Sequence, residues 1–394
     1  MKTALLKNIS LEGRLTDILI EGTRFKSIRP GIDTSMAETV IDCTGKAILP
    51  ALYNTHTHAA MTLLRGYADD MALDKWLQQY IWPFEDKLTP SDIRRGSAIA
   101  VKEMTGSGSV FFNDMYFEVD QTIEEVAASG MRAAIGITVM ENHSKALQDE
   151  KTEFIKRWSD PTGGRISLVM APHAIYTVGT EKLKWSAATA RDHGMKIHIH
   201  LSETASEVEN CLREHGMRPV EYLDSIGFLG PDVIAAHCVH VTPKEADILA
   251  ERGVTVSHCP CSNMKLSSGI FPYETFIRSG CRITLGTDGA SSGNNLDLRE
   301  AMKFAALLAK VSGNPEQLPA EEVLRWASVN GAEAFGIDAG VIAEGKKADC
   351  ILIDLSDIRM QPCYNLVSNF VYAADCGCIS AVICDGKTIY SRPA

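Results

Sequence analysis

Between residues 50 and 290 the chain alternates short apolar runs with stretches of helical period. The runs end near 54–58, 111–115, 135–140, 168–173, 198–201, 234–237, 254–258 and 283–288. Between them, apolar residues recur at three- and four-residue spacing over 92–105, 122–129, 180–193, 206–215, 243–252 and 272–279. A short apolar run bounded by turn residues marks a strand buried on both faces, and helices between such strands imply parallel pairing. Eight strands alternating with helices over about 240 residues predict an α/β fold, a (β/α)8 TIM-type barrel. A doubly wound open sheet is the runner-up, but no Gly-rich phosphate loop follows the first strand.

The two ends have another texture. Residues 16–22, 38–45, 348–354 and 381–387 read as short strands closed by Asp and Gly. Because chain termini often lie close together, the ends are expected to pair into one small discontinuous β-sandwich domain. That assigns 1–50 and 343–394 to the small domain and 51–342 to the barrel.

Composition narrows the partners. The 394 residues carry 39 basic and 50 acidic side chains, a net charge of −11. Nucleic acid or an anionic membrane surface would require a basic face, so neither is expected. No 7–15-residue apolar stretch follows the N-terminus and no run reaches the ~20 apolar residues of a membrane span. Eleven cysteines are an odd number for a disulfide framework. The expectation is a reduced, cytoplasmic protein.

Barrels place their chemistry at the C-terminal ends of the strands. There this chain has His56 and His58, His173, His198 and His200 with Glu203, His237, and Asp288. His56 and His58 stand two apart on a strand, so both side chains share one face. Two imidazoles where barrels carry aliphatic residues, with His and Asp on four other strand ends, point to metal ligation rather than to hydrogen-bonded core histidines. Imidazole and carboxylate ligands suit zinc. His200 and Asp288 complete a ligand set, and iron(II) would use the same one. Glu203, just past its strand, is placed for general acid/base work, and equally for the dipole of the helix that follows. His198 lies deeper on the same face as His200 and reads as a buried residue behind the ligands. His237 reads as a fifth ligand or a polariser of water. Cys259-Pro260-Cys261 lacks the second Cys pair of a structural zinc site.

These strand ends resemble the signatures of the amidohydrolase superfamily, in its nucleobase and nucleoside deaminase branch. The resemblance runs through Asn54-Thr55-His56-Thr57-His58, Ile199-His200-Leu201-Ser202-Glu203-Thr204, Ala236-His237-Cys238, His258-Cys259-Pro260-Cys261-Ser262-Asn263 and Gly286-Thr287-Asp288-Gly289. It implies one divalent metal, zinc by default, on His56, His58, His200 and Asp288. It implies that His237 and Asp288 handle the proton of the attacking water and that Glu203 shuttles protons to the substrate. Two-metal members carry a modified lysine at the end of strand four, where this chain has His173, so one metal is expected. Within the branch the chain is most similar to deaminases of adenosine derivatives. That similarity implies substrate contacts from Trp76 and Glu85 to the ribose and from His173 and Glu203 to the purine. Users of S-adenosylhomocysteine carry an arginine just after strand three. Here 135–143 shows none, and Arg132 lies near the strand's beginning. A substrate with a neutral 5′ group is therefore expected: 5′-methylthioadenosine, 5′-deoxyadenosine or adenosine. The alternatives are a deaminase of a free base, a triazine-type hydrolase, or a nucleoside-binding barrel without turnover. A homo-oligomer is compatible with the resemblance.

Overall fold

A computed structural model describes residues 2–311 and 313–393. The N-terminal segment lays down β1 (Thr3–Leu11), β2 (Arg14–Glu21), β3 (Arg24–Arg29), β4 (Thr39–Asp42) and β5 (Lys46–Pro50). β1 and β2 form a hairpin over Glu12 and Gly13, both at positive φ (50° and 77°), the turn whose twist matches two antiparallel strands.

Eight parallel strands follow: β6 (Leu52–Thr57), β7 (Ser109–Asp114), β8 (Arg132–Val139), β9 (Ile166–Pro172), β10 (Lys196–Leu201), β11 (Val233–His237), β12 (Thr255–His258) and β13 (Arg282–Leu285). They pair in sequence order from β6 to β13. Each coincides with one of the eight apolar runs. The seam between the last strand and the first is held by Asp288 N–H to the His56 carbonyl at 3.1 Å and by the Thr55 hydroxyl to the Leu285 carbonyl at 2.9 Å. Close approach there requires Gly286, where a Cβ would meet His56 Cβ at 2.7 Å. The helices form on their local signals. The helix Pro90–Gly106 starts on a capping box of Thr89 and Asp92 with proline at its first position. The apolar pattern missed the helix Lys145–Arg157, which buries only Gln148 and Ile155.

The chain then returns to its start. β14 (Cys350–Asp354), β15 (Ile379–Cys384) and β16 (Lys387–Ser391) extend the N-terminal strands into one mixed eight-stranded sheet, in the order β16-β15-β14-β5-β1-β2-β3 with β4 beside β1. Leu6, Ile18, Ile20, Phe25, Ile48, Leu352 and Ile383 pack into a core of their own. Ile351, Ile379 and Val382 join the barrel core instead. Where sheet and barrel meet, Arg132 is buried and pairs with Asp349 at 3.1 Å and Asp385 at 2.6 Å, while the Tyr53 hydroxyl donates to Asp349 at 2.6 Å. Arg132 is thus bound at the beginning of β8, at the opposite end from the strand-end histidines. All eleven cysteines are free. Among the described residues, no helix is long and apolar enough to cross a membrane.

Candidate active site

The strand ends converge as their positions require. Of the predicted residues, His58, Trp76, Glu85, His173, His200, Glu203, His237 and Asp288 line one cavity of about 830 Å³. His56 lies beneath it, fully buried. His237 and Asp288 hold positive φ (70° and 61°), and Ser202, one residue past β10, does the same at 50°. Such conformations cost of order 1–3 kcal/mol each in non-glycine residues and gather where side chains must be aimed.

Four donor atoms close on one point. Asp288 Oδ1 is 3.3 Å from His56 Nε2 and 3.2 Å from His58 Nε2, and His58 Nε2 is 3.4 Å from His200 Nε2. Each imidazole is held from behind by its other nitrogen. His58 Nδ1 donates to the Met115 carbonyl at 2.6 Å, and His200 Nδ1 to the His173 carbonyl at 2.8 Å. The His198 Nδ1 donates to the Ile234 carbonyl at 3.1 Å, so its Nε2 accepts from His56 Nδ1 at 2.7 Å. Carbonyls only accept, so these bonds place N–H on every Nδ1 and turn the Nε2 of His56, His58 and His200 toward the cluster. His56 Nε2 is buried without a hydrogen-bond partner. Burial opposes charge on His58, yet Asp288 outweighs it and lifts the imidazole pKa to about 9. A buried cluster of three Nε2 atoms and one carboxylate, whose charge draws a proton onto His58, fits a divalent cation, with the supporting bonds such ligands require. The groups His56–His58–Asp288 and His56–His200–His237 each bring their donor atoms within 4.8 Å of one another.

Around this cluster lie groups that can move protons. Asp288 Oδ2 accepts from Ser262 at 2.6 Å and Ser292 at 3.0 Å, leaving Oδ1 toward the histidines. His237 Nδ1 donates to Asn263 Oδ1 at 2.8 Å, and its Nε2 is 3.8 Å from Glu203 Oε2. Glu203 is 4% exposed, and burial raises its pKa above the ordinary carboxylate value. Its Oε1 accepts from the Ser268 hydroxyl at 3.2 Å. His173 Nδ1 bonds the Thr177 hydroxyl at 2.8 Å, and burial pulls its pKa down to about 3, so the ring is neutral.

The wall opposite comes from the segment after β6. Trp76, on the short helix Leu73–Trp76, has a buried indole N–H with no partner. Glu85 Oε1 accepts from the Tyr116 hydroxyl at 2.7 Å, and burial lifts its pKa to about 7 against that bond. The cavity is bordered as well by Asp120, Asn142, His143, Glu150 and Lys151. There Lys151 donates to the Thr138 carbonyl and to His143 Nδ1, and burial lowers its pKa to about 8.

Ser268, Ser292, Tyr116 and Lys151 escaped the sequence reading, and Ser262 and Asn263 entered it only within the signature that follows His258, with no role given. They lie on the short helix Pro260–Lys265 that follows β12. The other four carried no signal, because a serine or tyrosine in a loop, or a lysine on a polar helix, is ordinary until its partner is known. Cys259 and Cys261 stand outside the donor cluster.

A family model described as "Amidohydrolase family" matches residues 47–389. A 5′-deoxyadenosine deaminase of Methanosarcina mazei is 45% identical over 378 residues, covering 94% of this chain and 87% of that protein. A 5-methylthioadenosine/S-adenosylhomocysteine deaminase of Archaeoglobus fulgidus is 44% identical, covering 96% and 89%. Among solved structures, an adenosine deaminase from Xanthomonas campestris with bound zinc superposes with a TM-score of 0.92 at 33% identity, over 98% of this chain and 92% of that one. A triazine hydrolase at 22% identity and a TM-score of 0.89 shares the fold. With a barrel whose strand ends carry this donor set, and a family match over most of its length, the chain belongs to the amidohydrolase family.

Proposed function

We propose that the protein is a metal-dependent hydrolytic deaminase of adenosine derivatives with a neutral 5′ group, releasing the inosine derivative and ammonia. One observation carries this reading: Glu203 is buried, disposed toward protonation, and borders the same cavity as the four-donor cluster. A binding module has no use for a proton shuttle facing a cation site.

His56, His58, His200 and Asp288 would hold one divalent cation, which would supply the Lewis acidity for activating water near neutral pH, and zinc suits this donor set. The protein's own groups do the rest. Asp288 and His237 take the proton of the water that attacks C6 of the adenine. Glu203 delivers its proton to ring N1, which makes C6 more electrophilic, then takes up the proton that Asp288 and His237 removed from the water and passes it to the departing amine. As the C6–N bond breaks, the C6 hydroxyl returns its proton to Glu203, the C6 carbonyl forms, and ammonia leaves. Trp76 and Glu85 hold the ribose hydroxyls, a charge-assisted pairing of the strong kind. His173, neutral, meets the purine ring.

The lining supports a neutral 5′ substituent. Lys151 is the one Lys or Arg among the residues bordering the cavity, against the exposed acids Asp86, Glu118, Asp120 and Glu150. A free carboxylate would enter a mouth that repels it. The deciding experiment is ammonia release across a panel of adenine nucleosides and free bases, with metal analysis of the same sample. Ammonia from 5′-methylthioadenosine, 5′-deoxyadenosine or adenosine is expected. Tight nucleoside binding without ammonia, or turnover of free bases only, overturns the reading.

A further inference from the structure

Glu207 takes no part in the scheme above, yet it is a fully enclosed carboxylate, 3% exposed, one turn beyond Glu203. It sits at the third position of the helix Ala205–His215, which Thr204 caps by accepting the Glu207 N–H on its hydroxyl at 3.2 Å. In an ordinary capping box the glutamate side chain would reach back to the cap's own N–H. Here it reaches further. One oxygen accepts from Ser202 N at 2.7 Å and the other from Glu203 N at 2.8 Å.

Those two N–H groups belong to the residues leaving β10, where the strand ladder can no longer serve them. The carbonyls of Leu201 and Ser202 still take N–H groups from Cys238 and His240 at 2.9 and 2.8 Å. The Ser202 and Glu203 N–H groups have no backbone acceptor among the described residues. Ser202 itself is held at φ 50°, a conformation it would leave without support. Glu207 therefore grips the turn that carries Glu203 with both oxygens, while Ser268 holds the Glu203 carboxylate from the far side.

We infer that Glu207 is a positioning residue for Glu203: its carboxylate fixes the backbone from which the proton shuttle projects. This rests on the role proposed for Glu203. Glu207 does not border the cavity, so it acts only through the residue it holds. Misplacement of a catalytic group by about 1 Å can cost on the order of a hundredfold in rate.

The test is E207Q, which keeps volume but sets an amide N–H against a backbone N–H. kcat and KM are measured per folded, metal-loaded site, with melting temperature and metal content, on adenosine and on its 6-chloropurine counterpart. Chloride leaves without a proton, so its release leans less on Glu203. Expected is a fall in deamination kcat of about 10- to 100-fold, the scale of a misplaced reacting group. KM should stay within about threefold, with a smaller fall for the chloro substrate. In an E203Q background, E207Q should add nothing, as coupled residues do in a double-mutant cycle. Should E207Q fail to accumulate folded, E207D, one methylene short of the turn, carries the same comparison. Near-wild-type deamination, equal losses on amine and chloride, or losses that multiply in the double variant would each overturn the inference. If E203Q alone keeps turnover, the role of Glu203 fails and this inference goes with it. If E203Q is inactive while E207Q is not, only this inference fails.

Discussion

Exchanging Glu203 for Gln removes a titratable proton and almost no volume. The amide oxygen still accepts from Ser268 as Oε1 does at 3.2 Å, so no buried donor is stranded and the fold should hold. The four-donor cluster is untouched, since the nearest approach of Glu203 to a histidine is 3.8 Å, to His237. What disappears is proton delivery. A glutamine can donate a hydrogen bond to the purine ring but cannot give up a proton, so ground-state binding survives and the transition state loses its acid. General acid/base groups contribute about 10²–10⁴ in rate, which is roughly 3–5 kcal/mol of barrier. The assay is steady-state ammonia release with metal content determined on the same preparation. Expected are a full complement of metal, KM near wild type and kcat down by at least a hundredfold. The wild-type rate should fall on the alkaline side as Glu203, its pKa raised by burial, loses its proton, and that limb should flatten in the variant. Turnover near wild type in a metal-loaded E203Q sample would refute the reasoning.

Three further outcomes follow from the geometry. Glu85 must be ionised to accept two ribose hydroxyls, and its pKa is lifted to about 7, so KM for nucleosides should fall as pH rises through about 7. A flat KM profile in the wild type, or an unchanged slope in E85Q, would remove Glu85 from the ribose site. A carboxylate-bearing 5′ tail meets acidic side chains and a committed lysine, so kcat/KM for S-adenosylhomocysteine should lie about tenfold or more below that for methylthioadenosine, the scale of an unmatched buried charge. Equal or better use of S-adenosylhomocysteine defeats that. Breaking the buried Arg132 pairs by R132M strands Asp349 and should destabilise the fold by about 3–5 kcal/mol in denaturant titration while leaving kcat of the folded enzyme unchanged. A loss of activity without loss of stability would mean that Arg132 is not the structural tie described.

How much of this was readable beforehand depended on whether a feature is local. The eight strands were legible because each is buried on both faces and so appears as a continuous apolar run. The helix Lys145–Arg157 was not, because it rests on the barrel with few apolar residues and leaves no stripe to detect. β1 and β16 were overlooked for a related reason: their burial is partial and irregular, so neither alternation nor a run stands out. Glu207 went unread, because a glutamate three residues past Thr204 has the ordinary spacing of a capping box and only its side-chain partners show otherwise.

By itself, then, the sequence determined the alternation of strand and helix, the chemistry available at the strand ends, and the resemblance that assigned it. These depend on side-chain period and residue type, which are properties of neighbouring positions. The tertiary structure decided which nitrogen of each histidine is free, which carboxylate oxygen faces the cluster, and how Glu203 is aimed. His237 takes its orientation from a residue 26 positions away, Glu85 meets a tyrosine 31 away, and Glu203 a serine 65 away. A hydrogen bond between distant segments exists only once closure of the barrel has brought them within 3 Å or so, and nothing in the local pattern records it.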